Sequence, residues 1–257
     1  MPDIRHQDAH AGVALKAAFE GIDHWIFDLD NTLYPAECNL FRQIDARMAS
    51  FIEARLGLGA PESRRLQKDY YVRYGTTLNG LMHEHDVPPE DFLSFVHDID
   101  LSVVARNDRL AALIGDLPGR KFVFTNGTLA HAENVIDRLG LDGAFDDIVD
   151  IVASGYAPKP HGTAYRRFID RVGALPEKSA MFEDIAINLQ EPSFLGMRTV
   201  LVASEADWMA DEPSDRRPAR KSHVGELDYI HHVTDDLAAF LGGIAPAGAE
   251  EPEWRQT

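Results

Sequence analysis

At 257 residues the chain has room for one large domain, or for a core with a smaller accessory domain. Its 45% hydrophobic and 26% charged residues exclude wholesale disorder and collagen-like repeats, and it has no apolar run of about eighteen residues to span a membrane. Twenty-five basic against forty-two acidic residues leave a net charge of −17, so nucleic-acid polymers and anionic membranes are repelled, and any bound anion needs positive charge gathered locally.

Residues 1–20 read as an N-terminal extension whose first ten (MPDIRHQDAH) lack the apolar run of a secretory signal. The single cysteine, Cys38, allows no intramolecular disulfide, and the expected compartment is a reducing cytoplasm. The first β-rich run is His24–Asp28 (HWIFD). From residue 36 to 104 the pattern is helical throughout: Leu40, Phe41, Ile44, Met48, Phe51, Ile52 and Leu56 keep helical spacing up to Gly57 and Gly59. Pro61 suits a second helix start, with Leu66, Tyr70 and Tyr74 before Gly75. Leu78, Leu81 and Met82 mark a third segment, and Phe92, Phe95 and Val96 a fourth after Pro88 and Pro89. A helical insertion directly after a first strand reads as a cap.

A helix over Asp108–Leu117 returns the chain to the core. Four more apolar runs follow at Lys121–Thr125, Asp147–Val152, Ser179–Phe182 and Arg198–Val202, with amphipathic helices between them that stop at Gly140 and Gly173. Strands that are continuously apolar and alternate with helices predict an α/β fold with a parallel sheet. The core is then 21–35 plus 105–243, and 244–257 is a frayed polar tail. Such sheets bind ligands beyond the carboxyl ends of their strands.

Four signals lie at those ends. The first strand runs into Asp28-Leu29-Asp30-Asn31-Thr32, and alternation puts Asp28 and Asp30 on one side. Two acids this close need a cation or a shared proton, although both could simply form a turn. The second strand ends in Thr125-Asn126-Gly127, whose hydroxyl and amides suit a phosphate cradle or an ordinary helix cap. Lys159 lies between Pro158 and Pro160, which restrict its backbone; a solvated loop lysine is the bland alternative. The fourth strand leads into Glu183-Asp184 with Asn188 four residues later, an oxygen-rich set that hard cations favour, or else helix N-terminal charges.

In this order, DxDNT, TNG, the lysine and ED with its following Asn, the sequence resembles the haloacid dehalogenase-like (HAD) hydrolase superfamily. The insertion is similar to its C1-type cap over a three-layer, Rossmann-like core. DLDNTLYP, YYVRYGTTL, HDIDLS, FTNGT, the lysine loop and FEDIAIN together resemble its bacterial pyrimidine 5′-nucleotidase branch, from about Ile22 to Val202. The resemblance implies that Asp28 is the nucleophile, forming an aspartyl-phosphate, and that Asp30 is the proton donor and acceptor. It further implies Mg²⁺ held by Asp28, Asp30 (through its carbonyl) and Asp184, with Glu183 acting through a bound water. Thr125, Asn126, Gly127 and Lys159 would hold the phosphoryl oxygens, and Asn188 would orient the lysine or the metal's waters. Superfamily members that attack carbon lack the second aspartate, so Asp30 favours phosphoryl chemistry.

The implied substrate is a small phosphate ester of the UMP or CMP kind, with a homodimer as an allowed assembly. A broad sugar-phosphate phosphatase or phosphomutase stays open, and so, more remotely, does a phospho-accepting signalling protein. Specificity is expected from the cap: Thr76 and Thr77, at the break after Gly75, to bond the base's edge, and Tyr74 (with Tyr70 and Tyr71) to stack on it, although any one tyrosine reads more readily as a core residue of the helical cap. His83, His85, His97, His231 and His232 show no ligand spacing and read as surface or packed residues. Arg216, Arg217, Arg220 and Lys221 read as a solvated loop, and Thr234 as a helix N-cap.

Overall fold

A computed structural model describes residues 13–206, 217 and 227–244. Six strands form one wholly parallel sheet in the order β3-β2-β1-β4-β5-β6. They are β1 (His24–Phe27), β2 (Arg120–Phe124), β3 (Asp147–Val149), β4 (Ser179–Glu183), β5 (Arg198–Val202) and β6 (His232–Thr234). Successive β1 side chains alternate between two apolar layers. Trp25 and Phe27 pack with Val135, Phe182 and Leu241 on one face, while Ile26 packs with Phe122, Phe168 and Leu201 on the other. Burial on both faces is why these runs are apolar without alternation. The parallel α/β fold expected from the sequence is therefore present, with helices covering each side.

Edge β6 is an addition to the expected five strands. Three residues beginning at a histidine carry too short an apolar signal to be noticed, and pairing with β5 is what makes them a strand. Thr234 closes that strand instead of capping the following helix; its hydroxyl takes the Asp236 N–H, and Asp236 takes the Ala239 N–H. Strand β3 stops at Val149, three residues short of expectation, because Asp150 accepts the N–H groups of Leu129 and Ala153 and turns the chain. Of the basic cluster, Arg216, Arg220 and Lys221 lie outside the described residues.

Between β1 and β2 come α1 (Leu40–Leu56), α2 (Ala60–Tyr74), α3 (Thr77–His85) and α4 (Pro89–Val96), followed by α5 (Asp108–Gly115). Helix α1 buries Leu40, Ile44, Phe51 and Ile52 at helical spacing and stops at Gly57, whose φ of 68° is one that glycine adopts freely. Helices α1 to α4 share an apolar cluster of their own, in which Ile44, Ile52, Tyr70, Leu81, Phe92 and Val96 meet. Ile151, from the turn after β3, joins it and ties the cap to the sheet. The core continues through α6 (Leu129–Leu139), α7 (Gly162–Val172), α8 (Gln190–Phe194) and α9 (Leu237–Ile244).

Register puts the chemistry at one level. Phe27 pairs with Val123 on one side and Phe182 on the other, so Asp28 and Thr125, just past their strands, emerge beside Glu183, the last residue of β4. From β1 the strands run outward to β2 and β3 and then resume on the other side of β1 with β4, β5 and β6, and a doubly wound sheet opens a crevice where its strand order reverses in this way.

Close packing of α2 on α3 depends on Gly80, where a methyl group would overlap Cβ and Cγ of Tyr70, atoms too near the backbone to move aside. Gly80→Ala is expected to lower stability by about 1–3 kcal/mol, less whatever helix propensity returns. A urea midpoint equal to that of the unaltered protein would show that the cap has slack at this contact.

Candidate active site

Between helices α1–α4 and the sheet edge, a cavity is lined on the sheet side by Asp28, Asp30, Thr125, Asn126, Gly127, Lys159, Glu183, Asp184 and Asn188. These residues come from four segments up to 160 positions apart, brought together by the sheet register and, for Lys159, by the loop after β3. Lys159 is the hub. Its buried ammonium donates to Asp28 Oδ1 at 2.6 Å, to Glu183 Oε2 at 2.7 Å and to the Phe124 carbonyl at 2.9 Å. All three ammonium donors are thereby used.

The lysine loop is held by Asn126 as well as by its prolines. Asn126 Oδ1 accepts the Lys159 backbone N–H at 2.9 Å, and its Nδ2 donates to the Lys159 carbonyl at 3.3 Å. Thr125 Oγ1 accepts the Gly127 N–H at 2.9 Å, so that amide is already engaged within its own turn. Asn188 donates to Glu183 Oε1 at 3.1 Å, from the 3-10 turn over Ala186–Leu189 that the chain enters after β4 and before α8. The Asn188 carbonyl is itself anchored by the Tyr165 hydroxyl at 2.6 Å.

Asp28, Glu183 and Asp184 each offer a carboxylate oxygen within 4.8 Å of the others, all buried. Burial, then the neighbouring Glu183, raise the Asp28 pKa to about 7 despite the opposing pull of Lys159. For Asp184, burial and the charges of Glu183 and Asp28 push the pKa well above the usual carboxylate range. Lys159 is driven down by burial, but Asp28 and Glu183 outweigh that and hold its pKa above the ordinary lysine value. Asp184 Oδ2 is buried with no hydrogen-bond partner. Three converging hard oxygens with one of them unsatisfied fit a divalent cation, which would supply the missing partner and offset the mutual repulsion.

Asp30 is different. Its Oδ1 accepts the Tyr34 hydroxyl at 2.6 Å and His131 Nε2–H at 2.8 Å. Burial raises its pKa, but His131 and Tyr34 more than reverse that and leave it below the usual value. The His131 ring stacks on His97, centroids 4.5 Å apart, and Thr128 Oγ1 lies 3.3 Å from His97 Nδ1. Burial and the adjacent His131 hold His97 down at about 4, so it stays neutral at ordinary pH. His97 is thus packed, as its spacing implied, but packed against the site. His131 is a residue that sequence reasoning missed. Its only linear signal is its place in the first turn of the helix that TNG opens.

The cap end of the cavity differs from expectation. Thr76 and Thr77 do line it, but Thr76 caps α3 by accepting the Asn79 N–H, and the Thr77 hydroxyl donates to the Gln67 carbonyl. Tyr71 also lines it, whereas Tyr70 is buried in the cap core. Tyr74 does not line it. Its hydroxyl donates to Glu84 and the Arg73 guanidinium lies over its ring, on the outside of the cap. The face of α2 that meets the cavity is set by Gln67, Lys68 and Tyr71, three and four residues apart, and Tyr74 falls beyond the site. Also unforeseen is Asp45, buried in α1 and bound by Arg64, by Lys68 at 3.0 Å and by Gln67 at 2.6 Å. Lys68 and Lys159 line the cavity against five carboxyl groups, Asp28, Asp30, Asp45, Glu183 and Asp184, so an anionic ligand there also needs the charge of a bound cation.

A model of the haloacid dehalogenase-like hydrolases matches residues 22–190. The chain therefore belongs to that family of hydrolases. Phosphate metabolism protein 8 of Saccharomyces cerevisiae is 28% identical over 136 residues, which are 48% of this chain and 42% of that protein; the chain spans under half of that relative's length. Among solved structures, CbbY of Rhodobacter sphaeroides in complex with phosphate superposes with a TM-score of 0.55 at 20% identity, over 87% of this chain and 99% of that one. A HAD phosphatase of Thermococcus onnurineus gives 0.54 at 16%, over 86% and 98%, and the L-2-haloacid dehalogenase of Xanthobacter autotrophicus gives 0.52 at 15%, over 86% and 97%. These similarities bear on the fold. No helix among the described residues is long and apolar enough to cross a membrane.

Raised carboxylate pKa values mean that the metal-free protein loses stability as pH rises through the folded-state pKa of Asp184. Asp184→Asn is expected to remove that loss, raising the metal-free melting temperature at pH 8 by about 2–4 °C per kcal/mol relieved. The same variant should lose the thermal stabilisation that Mg²⁺ confers on the unaltered protein. Melting curves with and without Mg²⁺ check both statements, and a wild-type melt indifferent to Mg²⁺ would remove the metal assignment.

Proposed function

We propose that the protein is a Mg²⁺-dependent phosphatase that hydrolyses pyrimidine nucleoside 5′-monophosphates. The observation that carries the phosphatase reading is the pairing of two differently held carboxyl groups. Asp28 sits on the lysine hub with the metal-type acids, and Asp30, two residues on, is kept apart by its own donors. A nucleophile must be ionised, which the lysine and a bound cation favour at Asp28, and a proton carrier must be oriented, which the Tyr34 and His131 donors do for Asp30.

In this reading the Asp28 carboxylate attacks phosphorus, a new P–O bond forms, and the ester P–O bond breaks. The departing ester oxygen takes a proton from Asp30, since a nucleoside oxygen leaves poorly as an anion. Asp30 then accepts a proton from the water that attacks phosphorus, and the Asp28 carboxylate is released with phosphate. Thr125 and the Asn126 backbone N–H hold phosphoryl oxygens, Lys159 supplies positive charge beside them, and Asn126 and Asn188 keep Lys159 and Glu183 in place. Mg²⁺, when held by Asp28, Asp184 and the Asp30 carbonyl with Glu183 nearby, supplies positive charge against phosphoryl oxygens.

CbbY in complex with phosphate and the HAD phosphatase, both alike in fold, and a relative named for phosphate metabolism support phosphoryl chemistry. The pyrimidine reading rests on the sequence resemblance and on a cavity that extends from the acids into the cap, where Phe41, Phe92 and Tyr71 offer aromatic surface and Lys68, Gln67 and Asp45 offer polar groups. The residues 36–104 form the cap in this reading, and a cytoplasmic location and a homodimer belong with it.

Steady-state assays of UMP, CMP, AMP and ribose 5-phosphate with Mg²⁺ test the reading, with the two pyrimidine nucleotides expected to lead. Asp28→Asn should abolish turnover with the fold retained, and Asp30→Asn should cost about 10²–10⁴-fold in rate. Equal activity on all four esters would withdraw the pyrimidine assignment and leave a general phosphatase.

A further inference from the structure

The geometry points to Tyr34 and His131 as positioning residues that occupy Asp30 Oδ1 and so reserve Oδ2 as the oxygen that exchanges a proton with the substrate. This rests on the proposed role of Asp30 in phosphate-ester hydrolysis.

A carboxyl oxygen has two lone pairs in its plane. On Oδ1 both are matched to donors, the Tyr34 hydroxyl at 2.6 Å and the His131 Nε2–H at 2.8 Å. A proton added to Asp30 therefore has its place on Oδ2. That oxygen lies toward the phosphate cradle: a methyl group built on Gly127 would sit 3.7 Å from Asp30 Oδ2 and 3.3 Å from Thr125 Oγ1. The missing side chain of Gly127 keeps this space open beside the cavity.

Both anchors are themselves fixed. Tyr34 is buried among the residues that pack under β1, four positions after Asp30, where a turn brings its hydroxyl back to the carboxyl group. His131 lies in the first turn of α6 and is buried, with its ring plane set by the near-parallel His97 ring, interplanar angle 14°. His97 follows the last helix of the cap, so the ring that orients His131 is delivered by the insertion and the ring that touches Asp30 by the core. The carboxyl rotation that decides which oxygen meets the leaving group is thus held from both sides. A free carboxyl would divide its time among rotamers, and a fixed one carries no such cost in the transition state.

Esters whose leaving group needs no proton separate this role from simple structural support. p-Nitrophenoxide departs unprotonated, whereas the 5′-oxygen of UMP must take a proton as it leaves. His131→Leu and Tyr34→Phe are expected to lower kcat/KM for UMP by about 10²-fold, within the range assigned to a proton-transfer group, and for p-nitrophenyl phosphate by tenfold or less. His131→Gln, whose amide nitrogen can replace Nε2–H, should recover the UMP-selective part of the loss. Thermal melts identify any variant that fails to fold, and the remaining two variants then carry the comparison. Equal losses on the two esters, or no loss on UMP, overturn the inference while leaving the phosphatase reading standing. Wild-type protein that turns over neither ester overturns that reading and this inference together.

Discussion

One buried ammonium organises the carboxyl edge of this sheet. Lys159, 3% exposed, spends all its hydrogen-bond donors on Asp28, Glu183 and a β2 carbonyl, so segments before, within and after the sheet's centre meet at a single charge. Without it, three buried carboxylates would face one another with no counter-charge from the chain. Burying an ion is costly unless its partners are close and well directed. Here the cost is met by neighbours that the sheet register delivers, and by Asn126, which clamps the lysine backbone from both its donor and its acceptor.

That arrangement divides the site into two electrostatic halves. On the Asp28 side, burial and like charge push carboxyl pKa values upward, which favours a cation or a proton among the acids. On the Asp30 side, burial is outweighed by a histidine and a tyrosine, whose directed hydrogen bonds lower the carboxyl pKa and orient the group. Two aspartates separated by one leucine thus acquire opposite chemical tendencies. Identical side chains in adjacent surroundings differ because burial, charge and hydrogen bonding act over a few ångströms.

The inserted helices form the other wall of the cavity. All four share an apolar cluster, yet α1 and α2 also present Phe41, Asp45, Lys68 and Tyr71 to the cavity. Residues that a periodicity argument assigns to a stable helix therefore also decide what fits above the acids. The aromatic stripe Tyr70, Tyr71 and Tyr74 shows the difficulty: one is core, one lines the cavity and one lies outside against Glu84. Helical rotation of about 100° per residue sends neighbours in sequence to different faces, and only the packing of α2 selects which face turns inward.

The linear chain was enough to locate the buried strands, the helical insertion between the first two, and the acids, hydroxyl and lysine at the strand ends. Those signals are local, since a strand buried on both faces must be apolar and a turn at a sheet edge must be polar. Short β6, the contact of Asn188 with Glu183, the Asn126 clamp, and the stack of His97 on His131 beside Asp30 were decided by tertiary structure. Each depends on a pairing between distant segments, or on the handedness and phase of one particular turn, and neither leaves a periodic trace in sequence. Asp28 and Asp30 could be read as two acids from their spacing. That one joins a lysine and the other a tyrosine and a histidine follows from which loops the folded sheet sets beside them.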